Sequence, residues 1–163
     1  MILDIVIEPN KILHQVAKNF TPNEMTSDET KKLIESLIET MHSKDSVGIA
    51  APQIGKSAQI CVITKNFAPD KTKDVVLINP KWEKASILKT VDEEGCLSVP
   101  KIYGQVKRHK KIKVSALDEN GKKINFVADD LFARIIQHEI DHLNGVLFIE
   151  KAKKLRTIKE ETM

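Results

Sequence analysis

The stretch from about Asp129 or Asp130 to Leu143 constrains the fold most, because it predicts one strongly apolar helix. Asn144-Gly145 supplies a stop signal after it. Its large apolar residues recur at helical spacing and share one broad arc: Leu131, Phe132, Ile135, Ile136, Ile140 and Leu143. Such a helix must bury its apolar arc, so the rest of the chain has to supply a surface that covers it.

The same helix carries the pattern His138-Glu139-x-x-His142. At about 100° per residue, the two histidines lie within about 40° of each other, so both imidazoles can reach one metal ion. Glu139 falls inside the apolar arc, where a carboxylate is costly unless it is paired or lies near a cation. The pattern predicts a metal centre in which Glu139 moves a proton from water to a leaving nitrogen. The alternative is that the histidines are satisfied core residues and Glu139 reaches a rim.

A catalytic metal site of this kind usually takes a third protein ligand and keeps one position open. The extended pattern H-E-x-x-H-x-x-G-x-x-H has its third histidine where this chain has Phe148. Several other side chains lack a supporting context: Glu150, Glu160, Glu161, His14, His42 and His109. Cys96 is the best candidate, because it sits beside Gly95 in a polar loop after a predicted strand and a divalent metal holds cysteine as thiolate. Cys61 lies in an apolar run and is expected to be a small buried core residue.

Composition narrows the class of protein. The chain has 163 residues, of which 41% are apolar and 30% charged, and its net charge is +3. These values predict one globular domain spanning residues 1–163 rather than a disordered chain. The two cysteines are too few for a disulfide scaffold, and no basic leader or long apolar run occurs, so we expect a cytoplasmic protein. Aromatic residues, at 4%, are too few for a platform that stacks nucleic-acid bases.

Other elements follow from local patterns. Asn10 is predicted to cap a short helix through Phe20, and Ser27 to cap an amphipathic helix through His42. Runs rich in β-branched residues predict strands at Gln59–Thr64, Val75–Asn79, Ile87–Val91, Lys111–Leu117 and Lys123–Val127. The expected fold is α+β, with mostly antiparallel short sheets around the central helix and a further helix in the segment from about 148 to 163.

Three motifs in this chain resemble those of the peptide deformylase family, in its shorter bacterial-type form. They occur in the family's order, at Gly48–Gln53 (GIAAPQ), Glu94–Ser98 (EGCLS) and Gln137–His142 (QHEIDH). The hairpin at 114–121 is also typical of the family, and the resemblance covers nearly the whole chain. Two positions depart from the pattern: Ser46 replaces a glycine, and Tyr103 stands where some members have arginine.

The resemblance implies a concrete reaction. The chain would remove the N-formyl group from the N-terminal formyl-methionine of newly synthesised polypeptides and release formate. The implied metal ligands are Cys96, His138 and His142. A metal-bound water or hydroxide would attack the formyl carbon, with Glu139 as the general acid/base. The Gln53 side-chain amide and the backbone N–H of Leu97 would meet the developing oxyanion together with the metal.

The resemblance also implies where the substrate lies. Gly48 and Gly95 leave backbone open to bind a peptide along the cleft, as an added strand would. The methionine side chain needs an apolar wall, for which the candidates are Val47, Leu131, Ile135 and the stem of Glu94. For Leu131 and Ile135, plain core packing is the alternative.

The donor set alone does not choose the metal. Two imidazoles and one thiolate suit Zn, Fe(II), Ni or Co, and ligand type by itself favours zinc. The family's native metal is Fe(II), so the resemblance implies one Fe(2+) per chain. Zn, Ni or Co would replace it in purified protein.

Two other functions stay open at this stage. One is a small zincin-like metallopeptidase built on the same helix, which Phe148 and the cysteine loop disfavour. The other is a ribosome- or RNA-binding module with an inactive site, which the intact Glu139 disfavours. The basic segment 150–159 is either a solvated terminal helix or a segment that docks on the ribosome, where the substrate emerges. We expect a monomer.

Overall fold

The fold is α+β, as expected, in a computed structural model that describes residues 1–158. Its α-helices are α1 (Pro22–Met25), α2 (Asp28–Ser43) and α3 (Asp130–Leu143). Its strands are β1 (Gly48–Ala50), β2 (Ile60–Ile63), β3 (Val75–Lys84), β4 (Lys89–Cys96), β5 (Val99–His109), β6 (Lys111–Leu117), β7 (Lys123–Asp129) and β8 (Lys153–Thr157).

The strands form two sheets in which every pair is antiparallel. The larger sheet has the order β1-β2-β3-β6-β7, and the smaller sheet has the order β4-β5-β8. The strands β1 and β4 are therefore edge strands, one in each sheet. Their free edges both contribute to the cleft described below.

The β1-β2-β3 part of the larger sheet is buried on both faces. On β2, Ile60 and Val62 pack in the cluster that contains α2, whereas Cys61 and Ile63 pack in the cluster that contains α3. This alternation follows from the two-residue period of a strand. Cys61 is fully buried, as expected, and burial raises the pKa of its thiol. The apolar arc of α3 thus finds its cover on one face of this sheet.

Several predicted elements are confirmed at or near their predicted bounds, among them α2, β6 and α3. Helix α2 begins directly after Ser27, whose side chain accepts a hydrogen bond from the Thr30 N–H, as an N-cap should. Strand β6 has the predicted bounds, and α3 ends at Leu143 with Asn144 as its C-cap. Each of these signals is local in sequence.

One prediction at the start of the chain was wrong, and one strand in the middle of the chain was missed. The predicted helix from Asn10 to Phe20 is only a 3-10 turn over Lys11–His14, although the Asn10 side chain does cap it by accepting from the Ile12 N–H. Strand β5, eleven residues long, was not predicted. Its inward positions include Gly104 and Arg108, both buried, which conceals the alternation of apolar residues that marks a half-buried strand.

The further helix expected from about residue 148 is also wrong for the described residues. The chain there forms a 3-10 turn over Phe148–Glu150 and then β8. Strand β8 pairs with β5, with Arg156 opposite Tyr103, and Leu155 lies against Gly104. Long-range pairing overrides the local preference of a charged segment for helix. Residues 159–163 of the basic segment lie outside the described residues.

We predict that Gly145→Ala destabilises the fold more than Gly121→Ala. Both glycines have positive φ, so both substitutions carry backbone strain. A Cβ on Gly145 would also lie 2.7 Å from the His14 carbonyl carbon, whereas a Cβ on Gly121 would meet nothing within 4 Å. We expect the clash to add about 1–3 kcal/mol to the loss in free energy of unfolding, measured with urea. Equal losses in the two variants would contradict this packing of α3's end on the N-terminal segment.

Candidate active site

Three possible metal ligands converge where α3 meets the end of β4. The Cys96 Sγ lies 3.2 Å from the His142 Nε2, and that nitrogen lies 3.2 Å from the His138 Nε2. The ligand atoms of these residues all fall within 4.8 Å of one another. The histidines are one helical turn apart on α3, and Cys96 is the last residue of β4 rather than part of a loop after it. Strand pairing therefore fixes the thiol more firmly than the sequence indicated.

The chemistry of these atoms fits a divalent transition metal. Two imidazole nitrogens and one sulfur form the kind of donor set that binds Zn, Fe(II) or Co tetrahedrally with one position left for water or substrate. Close to them, the Glu139 Oε1 is buried without a hydrogen-bond partner in the described residues. A buried, unpartnered carboxylate oxygen is costly, which indicates that it serves a ligand or water in the centre.

Glu94 holds one of the histidines. Its Oε1 lies 2.8 Å from the His138 Nδ1, so His138 donates through Nδ1 and keeps Nε2 free to bind a metal. Arg108 donates to both oxygens of the same carboxylate, at 2.7 and 2.9 Å. Burial alone raises the pKa of Glu94, but the hydrogen bonds from Arg108 and His138 outweigh it and hold that pKa well below its usual range. Glu94 therefore stays ionised.

A second carboxylate extends this buried ionic network. Arg108 also donates to the Asp141 Oδ2 on α3, at 2.8 Å, and the Lys151 Nζ lies 3.0 Å from the same oxygen and 3.2 Å from Oδ1. Arg108 is 4% exposed and Asp141 8%. Arg108, Asp141 and Arg134 were not predicted as site residues from the sequence. For Arg134 and Asp141, the available signal was a charged residue on a strongly apolar helix.

Glu139 lies beside the convergent ligands and is 3% exposed. Burial is the main cause that raises the pKa of Glu139 to about 7, and the neighbouring His138 opposes that rise. A Cβ on Gly48 would lie 2.8 Å from the Glu139 Oε2. Gly48 on β1 is thus required to make room for this carboxylate, in addition to any role in binding a peptide. The carboxylate is positioned to exchange protons near neutral pH.

Gln53 reaches the same place from the turn after β1. Its Oε1 accepts a hydrogen bond from the Ala50 N–H at 2.9 Å, which fixes the amide plane. Its Nε2 then points at the Cys96 Sγ, at 3.4 Å, and at the Ser98 Oγ, at 3.3 Å. Leu97 follows Cys96 in the tight turn between β4 and β5. Both groups stand beside the ligand cluster.

A cleft of about 180 Å³ opens over these groups, between the edge strands β1 and β4 and the start of α3. Every site residue expected from the sequence lines this cleft except His142, which is buried beneath it. The expected residues that line it are Val47, Gly48, Gln53, Glu94, Gly95, Cys96, Leu97, Leu131, Ile135, His138 and Glu139. Val47 is 40% exposed and Leu131 45%, so neither is an ordinary core residue. The arrangement offers an apolar wall beside a set of metal-binding and proton-exchanging groups.

The two departures from the family pattern have visible consequences. The Ser46 hydroxyl donates to the Gly48 carbonyl at 2.7 Å, which stiffens the entry to β1. The Tyr103 ring lies against Gly95, where a Cβ would be only 2.6 Å from the ring. Arg156 from β8 stacks over that ring, 5.1 Å from its centroid, and pairs with Glu93. Tyr103 therefore supports the back of the cleft strand.

Comparisons with known proteins give a consistent result. The polypeptide deformylase family profile matches residues 2–157. A peptide deformylase from Microchaete diplosiphon is 41% identical over 154 residues, which cover 93% of this chain and 80% of that protein. This chain belongs to the polypeptide deformylase family.

Solved deformylase structures agree with the fold. A class I type b peptide deformylase from Acinetobacter baumannii, bound to Met-Ala-Ser, has a TM-score of 0.86 and 35% identity, covering 93% of this chain and 98% of that one. The peptide deformylase from Thermotoga maritima also has a TM-score of 0.86, with 36% identity, and covers 94% and 99% of the two chains. The resemblance read from the three motifs is thereby confirmed.

The comparisons support neither alternative function, and the deformylase fold explains why the zincin pattern is incomplete. Phe148, at the position of the third zincin histidine, is 1% exposed and its ring lies 6.2 Å from that of His138. It packs behind the site instead of providing a ligand. Among residues 1–158, no helix combines the length and the apolar character that crossing a membrane requires.

We predict that Arg108→Met lowers the free energy of unfolding by about 3–5 kcal/mol, because it leaves two buried carboxylates short of a cation. The matched control is Arg156→Met, which removes an exposed arginine from its ion pair with Glu93 and should barely change stability. Urea unfolding of both variants measures the difference. If Arg108→Met unfolds at the same midpoint as the control, the network does not hold these elements together.

Proposed function

We propose that this chain hydrolyses the N-formyl group from the N-terminal formyl-methionine of new polypeptides, releasing formate and a free methionine end. The observation that carries this proposal is the meeting of Cys96, His138, His142 and Glu139 at one end of an apolar-walled cleft. A relative with the same fold is bound to Met-Ala-Ser, a peptide with a free N-terminal methionine. A member of this family therefore binds a peptide that corresponds to the expected product.

Deformylases depend on a metal, and we propose Cys96, His138 and His142 as its ligands here. We propose Fe(2+) as the ion, with Zn, Ni or Co as replacements in purified protein. A divalent ion bound by these residues polarises a carbonyl oxygen and lowers the pKa of a water molecule. Glu94 supports this chemistry by fixing the tautomer of His138.

Glu139 is proposed as the general acid/base. It would accept a proton from the attacking water and donate it to the methionine nitrogen as the formyl C–N bond breaks. A pKa of about 7 suits both steps, because the carboxylate can take up and release the proton near neutral pH. Its burial also keeps other proton sources away.

Gln53 and Leu97 are proposed to stabilise the oxyanion that develops on the formyl oxygen. The Gln53 amide is held by Ala50 with its N–H groups turned toward Cys96, so no reorganisation is needed as charge appears. The Leu97 backbone N–H would be the second donor. Donors that act only on the developing charge lower the barrier rather than tighten ground-state binding.

The methionine side chain is proposed to lie against Val47, Leu131, Ile135 and the stem of Glu94, all of which line the cleft. The backbones of Gly48 and Gly95 would pair with the peptide, because they lie on the two edge strands that flank it. We further propose that residues 1–163 act as one catalytic domain, as a monomer in the cytoplasm. A proposed contact with the ribosome is supported by three cations on exposed β8, namely Lys153, Lys154 and Arg156.

The proposed function is tested by formate release from formyl-Met-Ala-Ser by anaerobically prepared Fe(II) protein. We predict turnover by the parent and a fall in kcat of about 10²–10⁴ in Glu139→Gln, with unchanged metal content, because the variant cannot exchange the proton. Glu119→Gln, on an exposed carboxylate away from the cleft, is the control and should keep parental kcat. A fully metallated parent that releases no formate would refute the proposal.

A second prediction isolates the oxyanion donor. Gln53→Leu should lower kcat by about 10²–10³ while the KM for formyl-Met-Ala-Ser changes little, because the amide acts on charge that is absent from the ground state. Gln105→Leu on the exposed face of β5 is the matched control. A rise in KM with unchanged kcat would assign Gln53 to substrate binding instead.

A further inference from the structure

Arg134 is a buried arginine on α3 that the reaction as described above does not use. It is 6% exposed, and its two terminal nitrogens make four hydrogen bonds. The Nη1 donates to the Glu94 Oε2 at 2.6 Å and to the Val106 carbonyl at 2.9 Å. The Nη2 donates to the Thr90 carbonyl at 2.8 Å and to the Thr90 hydroxyl at 3.1 Å. All four protons of these nitrogens are thus engaged by the protein.

Charge balance alone does not require this side chain. Arg108 pairs with both Glu94 and Asp141, and Lys151 also pairs with Asp141, so two cations already balance these two carboxylates. Burying a second guanidinium beside Glu94 has a desolvation cost. The structure offsets that cost with hydrogen bonds to the backbones of β4 and β5 rather than with a further charge. The hydrogen bonds that Arg134 makes, rather than its charge alone, therefore account for its position.

The geometry links Arg134 to a proposed metal ligand. Arg134, His138 and His142 recur every four residues, so they form one stripe along α3. Glu94 bridges the first two members of that stripe, with its Oε2 on Arg134 and its Oε1 on the His138 Nδ1. Because Arg134 also grips Thr90 on the same strand as Glu94, it fixes both the helix and the strand that meet at this carboxylate.

We propose that Arg134 is a positioning residue, which orients the Glu94 carboxylate and through it the His138 imidazole toward the metal. The inference rests on the proposed function, since it concerns the metal centre proposed above. Without Arg134, the Glu94 Oε2 keeps only the Arg108 Nε as a donor, and the carboxylate loses its direct link to the helix turn that precedes His138. Partners of this kind typically change metal affinity or activity by about 10–100-fold when they are removed.

The test uses cobalt(II)-loaded full-length protein. Transfer of cobalt to excess chelator gives the dissociation rate, and the visible ligand-field bands report the geometry around the ion. We expect about tenfold faster dissociation and altered bands in Arg134→Met, and a smaller change in Arg134→Lys, which keeps the charge but only one nitrogen. Lys73→Met, whose lysine pairs with Glu119 on the surface away from the cleft, should match the parent in both measurements.

A double-mutant cycle tests the route of the effect. If Arg134 acts through Glu94, then Arg134→Met should add less than about twofold to the dissociation rate in a Glu94→Gln background. Effects that multiply in full would overturn that route. Parental dissociation rate and bands in a folded Arg134→Met with lowered thermal stability would reduce Arg134 to a structural role. If Arg134→Met changed only the KM for formyl-Met-Ala-Ser and kept the parental cobalt kinetics and bands, Arg134 would line the cleft without positioning a metal ligand.

Misfolding of Arg134→Met and failure of the proposed deformylation can each be distinguished from failure of the positioning role. Where Arg134→Met does not fold, Arg134→Lys decides, and parental cobalt kinetics in that variant would overturn the proposal. The cobalt measurements need no substrate. A parent protein that bound cobalt but released no formate would therefore refute the proposed deformylation, while the comparison of Arg134 variants would still test the positioning role.

Discussion

The buried pairing of Glu94 with Arg108 and Arg134 is the interaction on which the site depends. It joins β4, β5 and α3 at the point where Cys96 and His138 must meet. Apolar side chains of similar volume could join these elements with equal or greater stability, because desolvating charges is costly. What the ionic network adds is direction. It presents one carboxylate oxygen to an imidazole and thereby settles which nitrogen remains for the metal.

A second constraint acts on the opposite side of the cleft. The Glu139 carboxylate lies so close to Gly48 that a Cβ there, 2.8 Å from the Glu139 Oε2, would displace it. The edge strand β1 therefore comes within reach of both the proton-exchanging group and, through the turn that follows, the Gln53 amide. The edge strands of the two sheets thus flank the cleft, and α3 supplies residues that lie between them. The same packing therefore brings together the backbone proposed to bind a formyl-peptide and the side chains proposed to remove its formyl group.

The sequence predicted those features that local patterns determine. Helix α3, the cap at Ser27 and the strand Lys111–Leu117 follow from periodicity and capping over a few residues, and the HExxH pattern is itself local. The pairing of β5 with β8, and the partners of Arg108, connect residues 14 to 55 positions apart, which no local pattern encodes. Cys96 was found because a cysteine beside glycine is chemically distinctive. Arg108 and Arg134 look like ordinary surface cations until their burial is known.

The proposed reaction requires one metal ion held by the Cys96 thiolate and two imidazoles of α3. X-ray absorption spectroscopy of zinc- or cobalt-loaded protein tests it most directly, because sulfur and nitrogen scatter at different distances. We expect one sulfur at roughly 2.3 Å from the metal and two imidazole nitrogens at roughly 2.0–2.1 Å. The sulfur contribution should disappear in Cys96→Ser. A spectrum without a sulfur contribution, or one whose sulfur contribution persists in Cys96→Ser, would show that the Cys96 thiolate does not bind the metal.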